Sequence, residues 1–410
     1  MPSVAVVGAG TMGAGIAQIA AQSGWDVALL DVSTDVAHKA VGRILAALDR
    51  LAEKGKLPAA QRQSAGQRLG VASGPADLGD CELVIEAVVE DLRIKADTLA
   101  PIAAAVGPRA ILASNTSSLS ITRIAREVQA RLGGSGDIPR RTVGMHFFNP
   151  VPLLPLVEVI SGEESDPAVV QRGQEVAQEW GKTPVRARDV PGFIVNRVAR
   201  GFYLESLRML DEGVAGVDEI DRTVRGLLGF RMGPFELMDM IGIDVNYAVS
   251  CSVWEQLGRP ARLTPHALQQ QLVEQGRLGR KTKRGFYSYE SEPPLPALVL
   301  PRRSVELPPK LYEAVRRFSG AAFAEPGSIT EQYVVARVLV TVMNEAARAL
   351  DEGVADGADI DTAMRLGTNY PRGPIEWTEQ IGRHTCAALL RAMNECSGDG
   401  RFEPAEWLTP

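Results

Sequence analysis

The chain has 410 residues, of which 45% are hydrophobic and 23% charged, and its formal net charge is −6. This length exceeds what one compact core usually contains, so two or three domains are expected. The composition is ordinary for a globular protein, and the slightly acidic balance excludes a general attraction to nucleic acid or to a membrane surface.

Four scattered cysteines, Cys81, Cys251, Cys386 and Cys396, form no CxxC pair and no cluster with histidine at metal-binding spacing. They fit a reducing compartment, and no metal is expected. The first apolar run begins at Val4, which leaves no room for a signal peptide, and no apolar run reaches membrane-spanning length. The sequence therefore predicts a cytoplasmic protein without a membrane partner.

Short apolar runs alternate with helical stretches over the first 187 residues. The apolar runs lie at residues 4–7, 27–30, 83–85, 110–112, 143–145 and 156–160, and helical patterns lie at 12–22, 34–53 and 59–68. This alternation predicts a mostly parallel sheet that is covered by helices on both faces, in an α/β domain of the doubly wound type.

Helical patterns dominate after about residue 188. They cover residues 193–211, 217–229 and 244–257, and Gly285–Tyr289 closes this segment as an extended piece. A proline-rich stretch follows at 290–309 and indicates a linker.

The chain repeats itself at an offset of 140 residues. The segment LDEGVA at 210–215 reappears at 350–355, and Ile220-Asp221, Gly233-Pro234, Glu236 and Ile241-Gly242 recur in the same register. So many identities predict a duplicated all-α domain, and a coincidental capping pattern is the alternative. We expect four segments: an α/β domain at 1–187, a first helical copy at 188–290, a linker with a short helix at 291–327, and a second helical copy at 328–410.

A glycine-rich motif lies between the first strand and the first helix. Gly8-Ala9-Gly10-Thr11-Met12-Gly13 fits G-x-G-x-x-G, in which the glycines allow a tight turn and the approach of a pyrophosphate to the helix N-terminus. Asp31 ends the second strand, where a carboxylate binds the ribose 2′-hydroxyl, and Val32-Ser33 follow without an arginine. The pattern predicts a Rossmann-type domain that binds NAD in preference to NADP. A merely structural glycine turn is the minor alternative.

His146 ends a predicted strand at the edge of the sheet where such folds bind ligands. A neutral imidazole can accept the proton of an alcohol near neutral pH, although a lone histidine is more often a core residue. Glu158 lies within the next apolar strand, and a buried carboxylate there needs a partner. We expect Glu158 to fix the tautomer of His146 and to stabilise its cationic form.

Three short side chains, Asn115, Ser117 and Asn196, could hold the reacting oxygen. The alternative is helix capping, since Ser118 or Ser120 could begin a helix at 121–127, and for Ser117 the two interpretations are even. A dinucleotide motif together with a histidine, a carboxylate and these groups favours an oxidoreductase that transfers hydride at a secondary alcohol.

A basic strip follows the long helix at 34–53. Arg43, Arg50 and Lys54 share one helix face, and Lys56 follows in the turn. Acidic residues are interleaved with them, so a solvated face is favoured over a site for phosphates.

Nearly all of the chain resembles the 3-hydroxyacyl-CoA dehydrogenase family. The resemblance rests on GAGTMG at 8–13, SNTSSL at 114–119, GMHFFNPVPLLPLVEVI at 144–160, PGFIVNR at 191–197 and GRKTKRGFYSY at 279–289. It implies NAD-dependent oxidation of an (S)-3-hydroxyacyl-CoA to the 3-oxoacyl-CoA, in fatty-acid or phenylacetate- and adipate-type catabolism.

The resemblance also implies roles for single residues. His146 would be the catalytic base paired with Glu158, and Ser117 and Asn196 would contact the oxygen of the substrate. Side chains of the cofactor site would include Glu90, Lys95 and Asn115. Lys54 matches a position that meets CoA, which reverses the preference for a solvated face there.

The tandem helical domains resemble a bacterial branch of the family that includes 3-hydroxybutyryl-CoA and 3-hydroxyadipyl-CoA dehydrogenases. In single-copy relatives this domain forms a dimer, so the second copy could replace a partner subunit within one chain; a homodimer is the alternative. Asn196 becomes Ala336 at the offset of 140, which indicates a structural second copy. Lys283 stands where the family usually has glycine.

Two other functions remain open. A related β-hydroxyacid or sugar-nucleotide dehydrogenase would use a lysine base or a cysteine nucleophile, and no cysteine here lies in a suitable motif. A non-catalytic NAD-binding or structural protein, of which lambda-crystallin is an example, is disfavoured by the intact polar set. Arg200, Arg225 and Arg231 are candidate cations for an acyl tail that ends in a carboxylate.

Overall fold

A computed structural model describes residues 2–134, 136–325 and 327–409. The chain divides into two compact units, Met1–Phe193 and Ile194–Pro410. Within the described ranges, no helix combines the length and the apolar character that crossing a membrane requires.

The first unit is built on an eight-stranded sheet. Its strands, most of them apolar and buried, are Ser3–Val7 (β1), Asp26–Leu30 (β2), Leu69–Val71 (β3), Leu83–Glu86 (β4), Ile111–Ser114 (β5), Thr142–Phe147 (β6), Leu156–Ser161 (β7) and Thr183–Arg188 (β8). The order is β3-β2-β1-β4-β5-β6-β7-β8, and each neighbouring pair is parallel except β6 and β7. The mostly parallel sheet predicted from the sequence is confirmed.

Six helices of the first unit accompany this sheet in the described part of the chain. They are Thr11–Gln22 (α1), Thr34–Glu53 (α2), Ala59–Gln67 (α3), Leu92–Ala105 (α4), Ile121–Arg131 (α5) and Pro167–Glu179 (α6). Successive side chains of β1 alternate between two hydrophobic cores: Val4 and Val6 lie in one, and Ala5 and Val7 in the other. Both faces of the sheet are therefore covered, as the sequence predicted.

The second unit is almost entirely helical. Its helices are Val195–Val198 (α7), Arg200–Asp211 (α8), Val217–Leu228 (α9), Pro234–Ile241 (α10), Ile243–Gln256 (α11), Ala267–Glu274 (α12), Pro309–Ala322 (α13), Ile329–Asp351 (α14), Gly357–Thr368 (α15), Pro374–Ile381 (α16) and Arg383–Ser397 (α17). Tyr287–Ser288 (β9) and Leu295–Pro296 (β10) pair as a small antiparallel ribbon.

Two predictions for this unit need correction. The helical stretch expected at 193–211 divides into α7 and α8 at Ala199, which keeps a right-handed backbone with φ −68° and ψ −10°. Helices α10 and α12 were not predicted, because at eight residues each they are too short to show a clear apolar period. Lys283 adopts a φ of 58°, so a lysine occupies the left-handed conformation that glycine tolerates best.

Equivalent positions of the two helical copies pack against each other. A Cβ on Gly201 of α8 would lie 3.0 Å from Oγ1 of Thr341, which is its own counterpart in α14. Close contact between a position and its counterpart is what a local two-fold axis produces. The two copies therefore form a pseudo-symmetric pair.

In each copy, a buried arginine also donates hydrogen bonds to two glutamates of the other copy. Arg197 of the first copy donates to Glu345 at 2.7 Å and to both oxygens of Glu352 at 2.5 and 2.7 Å. Burial opposes the charge of Arg197, but the two glutamates outweigh it and raise the pKa of Arg197.

The reciprocal pair has the same form. Arg337, the counterpart of Arg197, donates to Glu205 at 2.7 Å and to Glu212, which are the counterparts of Glu345 and Glu352. Because Arg197 and Arg337 are buried, these contacts stabilise the pairing only as complete sets of partners.

Candidate active site

The glycine turn between β1 and α1 has the geometry that a dinucleotide phosphate requires. Gly8 has a φ of +101°, and a Cβ there would lie 2.7 Å from the carbonyl oxygen of Ala87. A Cβ on Gly13 would lie 1.7 Å from the carbonyl oxygen of Gly8. Gly10 differs, since a Cβ there would meet no protein atom within 4 Å. It is the N-cap residue of α1, and no side chain caps this helix end. The space and the N–H groups at this helix end therefore suit a pyrophosphate.

Asp31 lies beside this turn at the end of β2. Its Oδ2 accepts from the N–H of Ala9 at 2.5 Å, and its Oδ1 accepts from Val32 at 2.8 Å. A cavity of about 260 Å³ adjoins it and is lined by both polar and apolar residues, which include Gly8, Asp31, Ser73, Val88 and Ile102. A carboxylate at the mouth of a partly apolar cavity suits the ribose and base of the NAD adenosine.

The basic strip of α2 is not one uniform face. Arg43 reaches the glycine turn and donates to the carbonyl oxygen of Ala9 at 3.1 Å. Lys54 lies exposed at the C-terminal end of α2, and Lys56 is also exposed. The role of Lys54 toward CoA stays a prediction.

His146 and Glu158 face each other across the antiparallel pair β6 and β7. Nδ1 of His146 lies 2.7 Å from Oε2 of Glu158, and the carboxylate is fully buried. With Glu158 as a carboxylate, which only accepts, this contact requires the hydrogen on Nδ1 and leaves Nε2 as the acceptor of a neutral ring. The contact predicted from the sequence is confirmed, whereas its catalytic role stays a prediction.

Two aromatic rings fix the orientation of the imidazole. The ring of His146 lies 4.5 Å from that of Phe148 and 5.9 Å from that of Phe193, measured between centroids. Phe193 adopts a φ of 45°, a backbone conformation that residues other than glycine rarely take. Asn115 binds the same strand, since its Oδ1 accepts from the N–H of Phe147 at 2.9 Å.

Glu90 organises the loop that carries Ser117. Its Oε1 accepts from the hydroxyl of Thr116 at 2.7 Å, the N–H of Ser117 at 2.9 Å, and the N–H and hydroxyl of Ser118 at 2.9 and 3.0 Å. The hydroxyl of Ser117 lies 3.3 Å from the same oxygen. Burial opposes ionisation of Glu90, but Lys95 and the loop hydroxyls outweigh it and lower the pKa of Glu90.

Helix capping does not explain Ser117. The cap of α5 is Ser120, whose hydroxyl accepts from the N–H of Arg123 at 3.2 Å. One of the two residues offered for this role in the sequence analysis is therefore the cap, and Ser118 instead binds Glu90. The role of Ser117 toward a substrate stays a prediction.

Glu90 contacts a buried network of charged and polar side chains. The ammonium group of Lys95 lies 2.8 Å from Glu86 and 3.3 Å from Glu90, and the hydroxyl of Ser114 donates to Glu86 at 2.6 Å. Sequence reasoning missed Glu86 and Ser114. The available signal was a charged residue at the end of the apolar strand 83–85, in a position that burial makes unfavourable without a partner.

The structure thus brings most of the predicted residues into three groups within the first unit. Asp31 joins the glycine turn, Glu158 joins His146, and Lys95 joins Glu90 and its loop. Asn196 lies in α7 of the second unit, where its carbonyl oxygen accepts from Nε of Arg200 at 2.8 Å. No cluster of three or more histidine, cysteine, aspartate or glutamate side chains in the described residues could hold a metal ion.

The sequence matches those of known proteins over nearly its whole length. Residues 3–190 match the NAD-binding domain of 3-hydroxyacyl-CoA dehydrogenase, and residues 192–289 and 333–410 match its C-terminal domain. The chain is 36% identical to 3-hydroxyadipyl-CoA dehydrogenase of Escherichia coli (strain K12), with 99% of this chain and 96% of the relative covered.

Another relative and a crystal structure are named for a different substrate. A 3-hydroxybutyryl-CoA dehydrogenase of Bradyrhizobium diazoefficiens is 40% identical over 72% of this chain and 97% of its own length. The crystal structure of 3-hydroxybutyryl-CoA dehydrogenase from Escherichia coli K12 matches with a TM-score of 0.86 and 35% identity, over 99% of this chain and 97% of that one.

Proposed function

The chain belongs to the 3-hydroxyacyl-CoA dehydrogenase family, and we propose that it oxidises an (S)-3-hydroxyacyl-CoA thioester to the 3-oxoacyl-CoA. NAD⁺, when it is bound at the glycine turn, supplies the hydride acceptor for this reaction. The observation that carries the proposal is the contact of 2.7 Å between His146 and Glu158, in the same unit as the glycine turn.

His146 acts as the general base in this proposal. The unprotonated Nε2 of its neutral ring takes the proton of the 3-hydroxyl group, and the ring becomes an imidazolium. Glu158 then faces a positive charge at hydrogen-bond distance, which stabilises the cation and keeps the ring in place. In the direction of reduction, His146 returns the same proton to the oxygen.

Ser117 and Asn196 hold the reacting oxygen by hydrogen bonds. Glu90 supports this role of Ser117, because it binds the main chain on both sides of the hydroxyl and restricts the loop. A group that is positioned before the reaction stabilises developing charge without reorganising.

Two of the three arginines that are candidates for binding a carboxylate at the end of the acyl chain have other partners. Arg225 lies 3.1 Å from Glu236, so its charge is already paired. Arg200 is buried and donates to main-chain and hydroxyl oxygens inside the second unit. Both proposals from the sequence are therefore weakened, and Arg231, which is exposed, is the remaining candidate of the three.

We also propose that the second helical copy takes the place of a partner subunit and that the protein works in the cytoplasm. The reciprocal arginine contacts of the two copies support the first point, because they complete the pairing within one chain. Light scattering coupled to gel filtration is then expected to give the 44.0 kDa of a single chain. A stable dimer would contradict this part of the proposal.

The function is tested by following the loss of NADH with acetoacetyl-CoA as the substrate. The His146→Gln variant is expected to bind NADH normally and to lose about 10²–10⁴-fold in kcat, since general acid–base catalysis contributes on this scale. A free 3-oxo acid serves as the control, because a β-hydroxyacid dehydrogenase would reduce it as well as the thioester. Unchanged turnover of His146→Gln would remove this residue from the mechanism.

A further inference from the structure

The helix that carries Asn196 differs between the two copies. In the first copy it is interrupted at Ala199, three residues after Asn196, between α7 and α8. In the second copy the equivalent residues, 335–351, belong to the unbroken helix α14, and Leu339 is the counterpart of Ala199. The interruption therefore accompanies the copy that carries the asparagine.

A single guanidinium group joins the interruption to the neighbouring helix α11. Nε of Arg200 donates to the carbonyl oxygen of Asn196 at 2.8 Å. Nη1 of the same side chain donates to the carbonyl oxygen of Asn246 at 3.2 Å and to the hydroxyl of Ser250 at 3.0 Å. The planar fork of arginine holds these acceptors in one fixed arrangement.

Burial of the charged Arg200 side chain in a helical core is unfavourable for folding. Arg200 is 4% exposed, and no carboxylate lies within ion-pair distance of it among the residues that the structure describes. Burial lowers the pKa of Arg200, and its nearest ring is that of Tyr203, with 5.0 Å between the guanidinium carbon and the centroid. A buried charge without a counter-ion opposes folding, so stability alone does not explain this residue.

The second copy shows that the fold does not need this cation. Its counterparts of Arg200, Asn246 and Ser250 are Val340, Cys386 and Leu390, and all three are fully buried. At these three positions the second copy therefore has no charged side chain. The polar set is therefore a property of the copy that contains Asn196.

We propose that Arg200 is a positioning residue, which fixes the main chain at the helix interruption and so sets the direction of the Asn196 side chain. The inference rests on the proposed role of Asn196 as a hydrogen-bond donor to the oxygen of the substrate. Ser250 belongs to the same device, because its hydroxyl accepts from the guanidinium and restricts its position.

A double-mutant cycle on kcat with acetoacetyl-CoA tests this. Arg200→Met is expected to lower kcat by about 10–100-fold, because a displacement of about 1 Å can cost a factor of this size, while KM for NADH is unchanged. In the Asn196→Ala background the same substitution is expected to change kcat little, since the group on which Arg200 acts has been removed. Independent, multiplicative losses would show that Arg200 does not act through Asn196.

Two further variants keep the test decisive. If Arg200→Met does not fold, Ser250→Ala removes one contact of Arg200 at little structural cost and should give a smaller loss of kcat that also disappears in the Asn196→Ala background. Arg262→Met is the matched control, because Arg262 is a second arginine of the first copy that binds Glu345 at 2.6 Å, and its loss should lower stability with kcat unchanged. Should Asn196→Ala itself keep full activity, the proposed role of Asn196 fails and the inference fails with it, a pattern distinct from multiplicative losses.

Discussion

The two helical copies are built from one repeated sequence, but they serve different demands. Both keep the arginine and the two glutamates that join them, at Arg197, Glu205 and Glu212 and at the equivalent positions 140 residues later. Only the first copy has an interrupted helix with Asn196 and the buried polar set of Arg200. The second copy replaces these groups with alanine, valine, cysteine and leucine.

Under the proposed function, this difference separates residues that assemble the unit from residues that would serve the reaction. Groups that are present in both copies have a structural reason, because the second copy needs them although it lacks the asparagine. Groups that are confined to the first copy, and that are unfavourable for folding, have a functional reason. The repeat thus supplies an internal control that a single-copy protein lacks.

The largest effect is expected from replacing Asn196, whose counterpart in the second copy is an alanine. Asn196→Ala is expected to lower kcat by about 10²–10³-fold, the usual cost of removing one preorganised donor to a developing oxyanion. Ala336→Asn changes the equivalent buried position of the second copy, and it is expected to lower the melting temperature without changing kcat. Steady-state kinetics and thermal unfolding on both variants check this, and a kcat loss in Ala336→Asn would contradict the division of roles.

The shared arginines should show the opposite behaviour. Arg337→Met leaves the buried Glu205 with Arg208, at 2.5 Å, as its remaining close partner, so we expect the free energy of unfolding to fall by up to about 3–5 kcal/mol, while the folded fraction keeps its kcat. Arg372→Met is the matched control, because its ion pair with Glu376 is largely exposed and contributes about 0–1 kcal/mol. Chemical unfolding measures both values. Equal losses in the two variants would be inconsistent with a stabilising role of the buried arginine–glutamate contacts between the copies.

A third difference between the copies concerns a carboxylate that binds the start of the following helix. Asp221 accepts from the N–H groups of Phe235 and Glu236, and also from the hydroxyl of Tyr287. Asp361 makes the two equivalent main-chain contacts but is less buried. Burial raises the pKa of Asp221 to about 8, against the effect of these donors. Burial also raises the pKa of Asp361.

The raised pKa predicts how stability depends on pH. Between about 4, the unfolded value, and about 8, folded Asp221 holds a proton that the unfolded chain has released. Its contribution is therefore complete below pH ~4 and is lost as the pH rises through the folded pKa, with a slope of up to about 1.4 kcal/mol per pH unit. Unfolding curves across this window should show a shallower slope for Asp221→Asn, and a smaller change for Asp361→Asn. An unaltered slope in Asp221→Asn would show that Asp221 is ionised in the folded protein.

Much of this organisation was accessible from the sequence, because it rests on local patterns. The glycine turn, the alternation of strands and helices and the repeat each follow from residue spacing, and the contact of His146 with Glu158 followed from a charge inside an apolar strand. Contacts between distant segments left no such trace. Glu90 binds a loop 26 to 28 residues away, and the partners of Arg197 lie 148 and 155 residues away. Nothing in the local composition identifies which acid such a residue meets.

The smallest expected effect concerns a helix end at which the copies use different residues for one backbone demand. Helix α9 ends at Gly229 with a φ of 76°, and α15 ends at the equivalent Asn369 with a φ of 56°. Glycine and asparagine are the residues that tolerate this left-handed conformation best. Exchanging them, as Gly229→Asn or Asn369→Gly, should change the free energy of unfolding by less than about 1 kcal/mol, whereas Gly229→Ala should cost about 1 kcal/mol or more. Denaturant unfolding resolves this order, and an equal cost for Gly229→Asn and Gly229→Ala would mean that packing, and not the backbone conformation, selects the residue at this helix end.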